Sequence, residues 1–119
     1  MSRHSATTAS LSLHVLDTTH GVAGAGMRVE LHVLADADAE TYTPLGTVTT
    51  DATGRIAPFE NLPAPQTYRL TFHTAEYWKK SDATSFYPHV RILFSVQPNQ
   101  HYHVPLLVSP FGYSTYRGN

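Results

Sequence analysis

His101-Tyr102-His103-Val104-Pro105-Leu106-Leu107-Val108 is the stretch that decides how the rest of this chain is read. Alternate residues of a strand share a face. Tyr102, Val104, Leu106 and Val108 therefore make one apolar row, and His101, His103, Pro105 and Leu107 make the other. The same pattern recurs near the start of the chain. Leu11, Leu13 and Val15 form a core-like row, opposed by Ser12, His14 and Leu16. Just before the C-terminus, Phe111, Tyr113 and Thr115 share one face, and Ser114 and Tyr116 the other. A solvated second face would carry Lys, Glu and Thr. One that sets Leu16, Pro105 and Leu107 beside two histidines is expected to be half-buried, at a subunit interface or a ligand channel. A register error of one residue would reverse each assignment.

Working outward, short β-branched and aromatic runs alternate with Gly, Pro, Asn and Asp clusters. Strands are expected at residues 11–16, 27–34, 45–50, 55–57, 66–73, 89–96, 101–108 and 111–117. Residues 36–43 read as a polar connection. Residues 58–65 read as a loop too rich in proline for a central strand. The only helical pattern starts at Thr74 and runs to about Lys80. Thr74 is the candidate N-cap, Glu76 lies in the first turn, and Lys79 and Lys80 close the helix, as its dipole prefers. Trp78, Tyr77 and Phe86 read as packing for that helix. Seven or eight short strands with one short helix predict an all-β sandwich.

The 119 residues suit one domain, placed at residues 11–119, after a Ser/Thr/Ala-rich stretch at 1–10 expected to be a disordered tail. Eight Lys and Arg balance nine Asp and Glu without a basic stripe, which argues against nucleic acid as a partner. No apolar run approaches the roughly 18–20 residues of a membrane span. Residues 1–10 lack the apolar segment of a secretory signal, so the expected location is the cytoplasm. The absence of cysteine rules out disulfides and thiolate chemistry and fits a reducing compartment.

Eight histidines are many for this length, and histidine titrates near neutral pH. His101 and His103 form a His-x-His pair on one strand face. With His14 alongside, such a pair could bind zinc, act without metal, or be polar surface. The reading adopted is that His103 acts without metal or cofactor. His32, His73, His89 and His101 read as ordinary surface or core-edge residues, His20 as a loop residue, and Asp17 as a brace for the loop after the first strand. The glycines at 21, 24 and 26 precede a strand pattern rather than a helix, so they do not form a phosphate loop.

Several segments together resemble the 5-hydroxyisourate hydrolases, a transthyretin-related family. They are Leu11-Ser12-Leu13-His14-Val15-Leu16-Asp17-Thr18-Thr19-His20-Gly21, the turn Thr50-Asp51-Ala52-Thr53-Gly54-Arg55, the segment Trp78 to Phe94 with Phe86-Tyr87-Pro88, the run His101 to Pro110, and the terminal Tyr113-Ser114-Thr115-Tyr116-Arg117-Gly118. The resemblance covers residues 11–119. It implies a transthyretin-like β-sandwich of two four-stranded sheets with one short helix. It also implies a homotetramer, a dimer of dimers, with active sites in the channel where two dimers meet.

The implied reaction is hydrolytic ring opening of 5-hydroxyisourate in urate breakdown, with a small-molecule substrate and no cofactor or metal. Catalytic roles carry over to His14, Arg55, His103 and Tyr116. Substrate contacts carry over to His14, Arg55, Tyr116, Arg117 and Gly118. The alternative is a transthyretin-like carrier without activity, which would need no such polar set. Two departures are visible. Asn119 stands where the family commonly ends in serine, so no role of that hydroxyl carries over. Thr53 stands where an aspartate is usual before the Gly-Arg of the turn, and Gly54 still permits the positive φ the turn needs.

Overall fold

The structure is a computed structural model and describes residues 7–119. Nine strands and one helix are found among the described residues. In chain order they are β1 (Thr8–Asp17), β2 (Val22–Ala23), β3 (Arg28–Asp36), β4 (Thr41–Thr49), β5 (Phe59–Pro63), β6 (Gln66–Phe72), α1 (Thr74–Lys79), β7 (Val90–Val96), β8 (His101–Ser109) and β9 (Gly112–Thr115). They form two sheets. One is four-stranded, in the order β4-β3-β6-β7. The other has the order β2-β1-β8-β9, with β5 as a fifth strand on β1. The expected two-sheet sandwich is present, but the second sheet holds five strands rather than four. β2 and β5 divide one edge of β1 between them: β2 meets Leu16 and Asp17, and β5 meets Thr8, Ala9 and Leu11.

The inner rows are those that alternation picked out. Leu11, Leu13 and Val15 of β1 and Tyr102, Val104, Leu106 and Val108 of β8 are buried. They face Val29, Leu31, Tyr68, Leu70 and Phe72 of the other sheet. Each fully buried side chain of this kind contributes roughly 1.5–3 kcal/mol, so inverting either row would cost an amount comparable with a domain's whole stability of about 5–15 kcal/mol. Trp78 on α1 is fully buried and closes one end of the core.

Several boundaries differ from the sequence expectation, each for a local reason. β1 starts at Thr8, so Thr8 to Ser10 belong to a strand and not to a tail; residues 1–6 lie outside the described residues. Pairing with Leu62 and Pro63 of β5 holds this extension in place. The same pairing makes residues 59–63 an edge strand where a loop was expected. Pro58 lies outside it and Pro63 closes it, where a missing donor does least harm. β4 begins at Thr41 because the turn before it is tight. The Asp36 carboxylate accepts the N–H groups of Asp38 and Ala39, and Glu40 takes a positive φ of 53°.

Residues 55–57 form no strand, only a single bridge between Arg55 and His14. The helix is capped by the backbone of His73 without a side-chain bond, so Thr74 is not its N-cap. Phe86 is 68% exposed and does not pack the helix; its ring meets Tyr87 edge-on. No helix among the described residues is long and apolar enough to cross a membrane.

Candidate active site

β1 and β8 run parallel, and their register places the second faces side by side. Ser10 pairs with His101, Ser12 with His103, His14 with Pro105, and Leu16 with Leu107. Two short runs whose paired serines and histidines lie 91 residues apart thus build one polar strip in the middle of a sheet. Sheet-centre backbone is rigid, so side chains on it keep their relative positions.

Arg55 reaches this strip through the turn before it. The Asp51 carboxylate accepts the Thr53 N–H (2.8 Å), the Thr53 hydroxyl (2.6 Å) and the Arg55 N–H (3.1 Å). The Thr53 hydroxyl is the leading cause that holds the Asp51 carboxyl below its ordinary value, ahead of the two backbone bonds. Gly54 has φ +78°, and a Cβ there would stand 2.4 Å from the Val15 carbonyl oxygen. Glycine is therefore required twice, for conformation and for space. The turn survives the exchange of its usual aspartate for Thr53, as expected. It docks on β1 through Val15 N–H to Gly54 O (2.8 Å). His14 Nε2 donates to the Thr53 carbonyl at 3.0 Å. A carbonyl oxygen only accepts, so the proton of neutral His14 sits on Nε2 and the lone pair on Nδ1.

His103 lies in a cavity of about 310 Å³ lined also by Ser12, Arg55, Ile56, Pro58 and Asn119. This volume is at the small end of the range for small-molecule sites. Its Nδ1 is 2.7 Å from the Ser12 hydroxyl. Burial lowers the proton affinity of His103, and the nearby Arg55, His14 and His101 push it the same way. Near neutral pH the ring is thus held uncharged beside a permanent guanidinium cation, which is a workable pairing of a base and an anion-stabilising group.

The chain terminus folds over this strip. β9 stops at Thr115, two residues short of the expected end at Arg117. The Thr115 hydroxyl donates to the Pro105 carbonyl (2.7 Å), and Gly118 N–H donates to the His103 carbonyl (2.8 Å). A Cβ on Gly118 would come within 2.6 Å of the His103 ring, so only glycine lets the backbone cross here. Asn119 then enters the cavity.

The structure thus brings together His14, Arg55, His103 and Gly118 of the expected residues. It does not bring Tyr116 and Arg117 to them within one chain. Both line a separate cavity of about 480 Å³ with Ile92, Phe94, Tyr102 and Val104, between the edges of the two sheets. Arg117 stacks over the Tyr102 ring at 4.3 Å and donates to Gln100 (3.0 Å). The larger cavity is mostly apolar and holds no histidine, so the smaller one is the candidate for chemistry.

The sequence reading passed over Ser10, Ser12 and the bonding of His101. The Ser12 hydroxyl also lies 3.1 Å from His101 Nε2, and the Ser10 hydroxyl lies 2.6 Å from His101 Nδ1. Alternation had already put Ser12 on His14's face; the missing signal was the register with β8.

A model of the HIUase/Transthyretin family matches residues 11–118. The mouse (Mus musculus) 5-hydroxyisourate hydrolase is 41% identical over 114 residues, covering 92% of this chain and 94% of its own length. The solved structure of Klebsiella pneumoniae 5-hydroxyisourate hydrolase is similar with TM-score 0.79 at 33% identity, covering 93% of this chain and 94% of that one. Sea bream transthyretin, solved in complex with thyroxine, is also similar, with TM-score 0.79 at 30% identity over 91% of this chain and 93% of its own.

Proposed function

Because this chain belongs to the HIUase/transthyretin family, we propose that it hydrolyses 5-hydroxyisourate to 2-oxo-4-hydroxy-4-carboxy-5-ureidoimidazoline, a step of urate degradation. The observation that carries this reading is His103, held uncharged in one cavity with the Arg55 guanidinium. A hydrophobic-ligand carrier has no need of that pairing.

In the reaction, water adds to a ring carbonyl and the adjacent C–N bond breaks. His103 takes a proton from the attacking water and returns it to the departing ring nitrogen. The new carboxylic acid then ionises, so one proton is released per turnover. Arg55 meets the negative charge that gathers on the carbonyl oxygen. Its fork of donors suits a planar substrate rich in C=O groups. His14, fixed by Thr53, presents Nδ1 as an acceptor for a substrate N–H or, when protonated, as a second donor. Gly118 and Asn119 border the space that substrate would fill.

Tyr116 and Arg117 enter this proposal through assembly. β7 and β9 are the end strands of their sheets. Leu93, Phe111, Tyr113 and Tyr116 are exposed along that side. An apolar rim with two open strand edges supports pairing with a second copy. A tetramer built from such pairs is the assembly we propose, with Tyr116 and Arg117 ordered by neighbouring copies.

The test is an absorbance assay in which urate oxidase generates 5-hydroxyisourate in place. Decay that accelerates in proportion to added protein supports the hydrolase. Uncatalysed decay in the presence of folded protein would defeat it and favour the carrier. Light scattering on the same sample should give four times the chain mass; a stable monomer would remove the tetramer.

A further inference from the structure

We propose that Ser12 and His101 are positioning residues for His103: they form a hydrogen-bonded buttress that keeps its proton on Nδ1 and its lone pair on Nε2. This rests on the hydrolase reading. It assigns work to two residues that the match to the family does not, one of which the sequence alone leaves as ordinary surface.

The geometry comes from the parallel register of β1 and β8, which sets Ser10 beside His101 and Ser12 beside His103. The contacts then run without a break. Ser10 Oγ lies 2.6 Å from His101 Nδ1, Ser12 Oγ lies 3.1 Å from His101 Nε2, and Ser12 Oγ lies 2.7 Å from His103 Nδ1. A serine hydroxyl has a single proton to donate. Ser12 Oγ bonds only to these two rings, so it uses that proton by donating to one imidazole and accepting from the other. Two arrangements satisfy all three contacts and also use the Ser12 proton when both rings are neutral. In the first, His103 Nδ1–H donates to Ser12, Ser12 donates to His101 Nε2, and His101 Nδ1–H donates to Ser10. In the second, every bond is reversed.

Arg55 decides between them. The second arrangement puts an N–H on His103 Nε2, the ring nitrogen left to meet the cavity that holds the guanidinium. The first puts a lone pair there, which the cation favours. His14 and His101 are the other titratable groups near His103, and neither carries a fixed negative charge. No aspartate or glutamate side chain is among the charged groups that act on this ring. The polarity is therefore set by neutral partners on one side and a cation on the other. The same bonds fix the ring plane, and the Gly118 backbone closes over its Cδ2 edge. His103 cannot turn without breaking the bond to Ser12 or displacing the terminus.

The buttress is neutral, so its loss should cost less than losing an ionised partner, which costs a catalytic histidine about 10⁴-fold. Ser12→Ala is expected to lower kcat about 10–100-fold with KM within about twofold, and Ser12→Thr to restore most of it by returning the hydroxyl. His101→Phe leaves Ser12 free to reverse and is expected to cost about three- to tenfold.

The deciding experiment pairs these kinetics with nitrogen-15 NMR of the histidine side chains. In the unaltered protein His103 and His101 should both be protonated at Nδ1, and Ser12→Ala should leave His103 as a tautomer mixture. Wild-type kcat in Ser12→Ala, or protonation of His103 at Nε2 in the unaltered protein, overturns the proposal. So does a kinetic loss that Ser12→Thr fails to repair while the tautomer stays unchanged. Failure of the unaltered protein to hydrolyse 5-hydroxyisourate would defeat the functional reading instead, and the NMR result would still decide the buttress.

Discussion

Strand β1 serves two histidine clusters of opposite character. At its C-terminal end Asp17, only 2% exposed, accepts three hydrogen bonds: from the backbone N–H of His20 (3.0 Å), from His20 Nδ1 (2.8 Å) and from the Tyr77 hydroxyl (2.8 Å). Burial pushes the Asp17 carboxyl up, but the bonds from His20 and Tyr77 outweigh it and hold it below its ordinary value. Burial and Asp17 together push the Tyr77 hydroxyl up to about 12. The two groups that anchor this cluster therefore keep one charge state across the neutral range, and the cluster braces the loop after β1. In the middle of the strand the partners are neutral, a serine hydroxyl for His103 and a backbone carbonyl for His14. There the charge that acts most on His103 is the cation of Arg55, and His103 stays uncharged and ready to take a proton. A histidine tied to a buried carboxylate holds structure. One tied to neutral groups beside a cation is free to do acid–base work.

The largest effect that would sharpen this contrast is expected from His103→Ala. It should lower kcat by about 10²–10⁴-fold, the usual contribution of a general acid or base, while melting temperature and oligomer mass stay as in the unaltered protein. Unchanged turnover would remove His103 from the reaction. Next comes Arg55→Lys, which keeps the charge and loses the fork. A loss of about 10–100-fold in kcat/KM is expected if the grip is bidentate, and near-normal kinetics would mean that a point charge suffices.

Asp17→Ala should do the reverse of His103→Ala. Unfolding in urea should reveal a loss of about 1–3 kcal/mol from the donors left unpaired, with kcat within about twofold for protein that remains folded. A large kcat loss without destabilisation would erase the distinction between the two clusters.

The smallest effect concerns pH. His103 has a lowered pKa, so its base form persists as pH falls, and activity should drop only below the ordinary histidine value of about 6.5. Asp17 works on stability in a more acidic window. Its folded-state pKa is depressed, so its contribution is complete above the unfolded carboxylate value and is lost as pH falls through the folded one. Activity should therefore fall at a higher pH than stability does. Coincident losses in a kcat/KM profile and a denaturation series would contradict that order.

Local chemistry made much of this legible in advance. Period-two alternation separated buried from mixed faces on β1 and β8, because burying the wrong row would leave Leu11, Leu13, Tyr102 and Leu106 in water. Gly54 marked a turn because its φ of +78° suits no other residue well. Asp17 could be read as a loop brace because an aspartate three residues before a histidine reaches back to it locally. The strand at residues 59–63 escaped notice because its pairing lies on β1, about 50 residues away, and its flanking prolines spoke for a loop.

The sequence by itself determined which side chains of β1 and β8 face inward, where the chain turns, and that His14 and His103 lie on a half-buried second face. Those follow from residue size, polarity and φ preference, which act over a few neighbours. Tertiary structure alone decided that β1 lies parallel to β8, so that Ser12 meets His103. It also decided that the terminus crosses at Gly118, and that Tyr116 and Arg117 turn to the other cavity. Parallel pairing joins segments about 90 residues apart and is selected by burial summed over both sheets, a quantity that no local stretch of sequence contains.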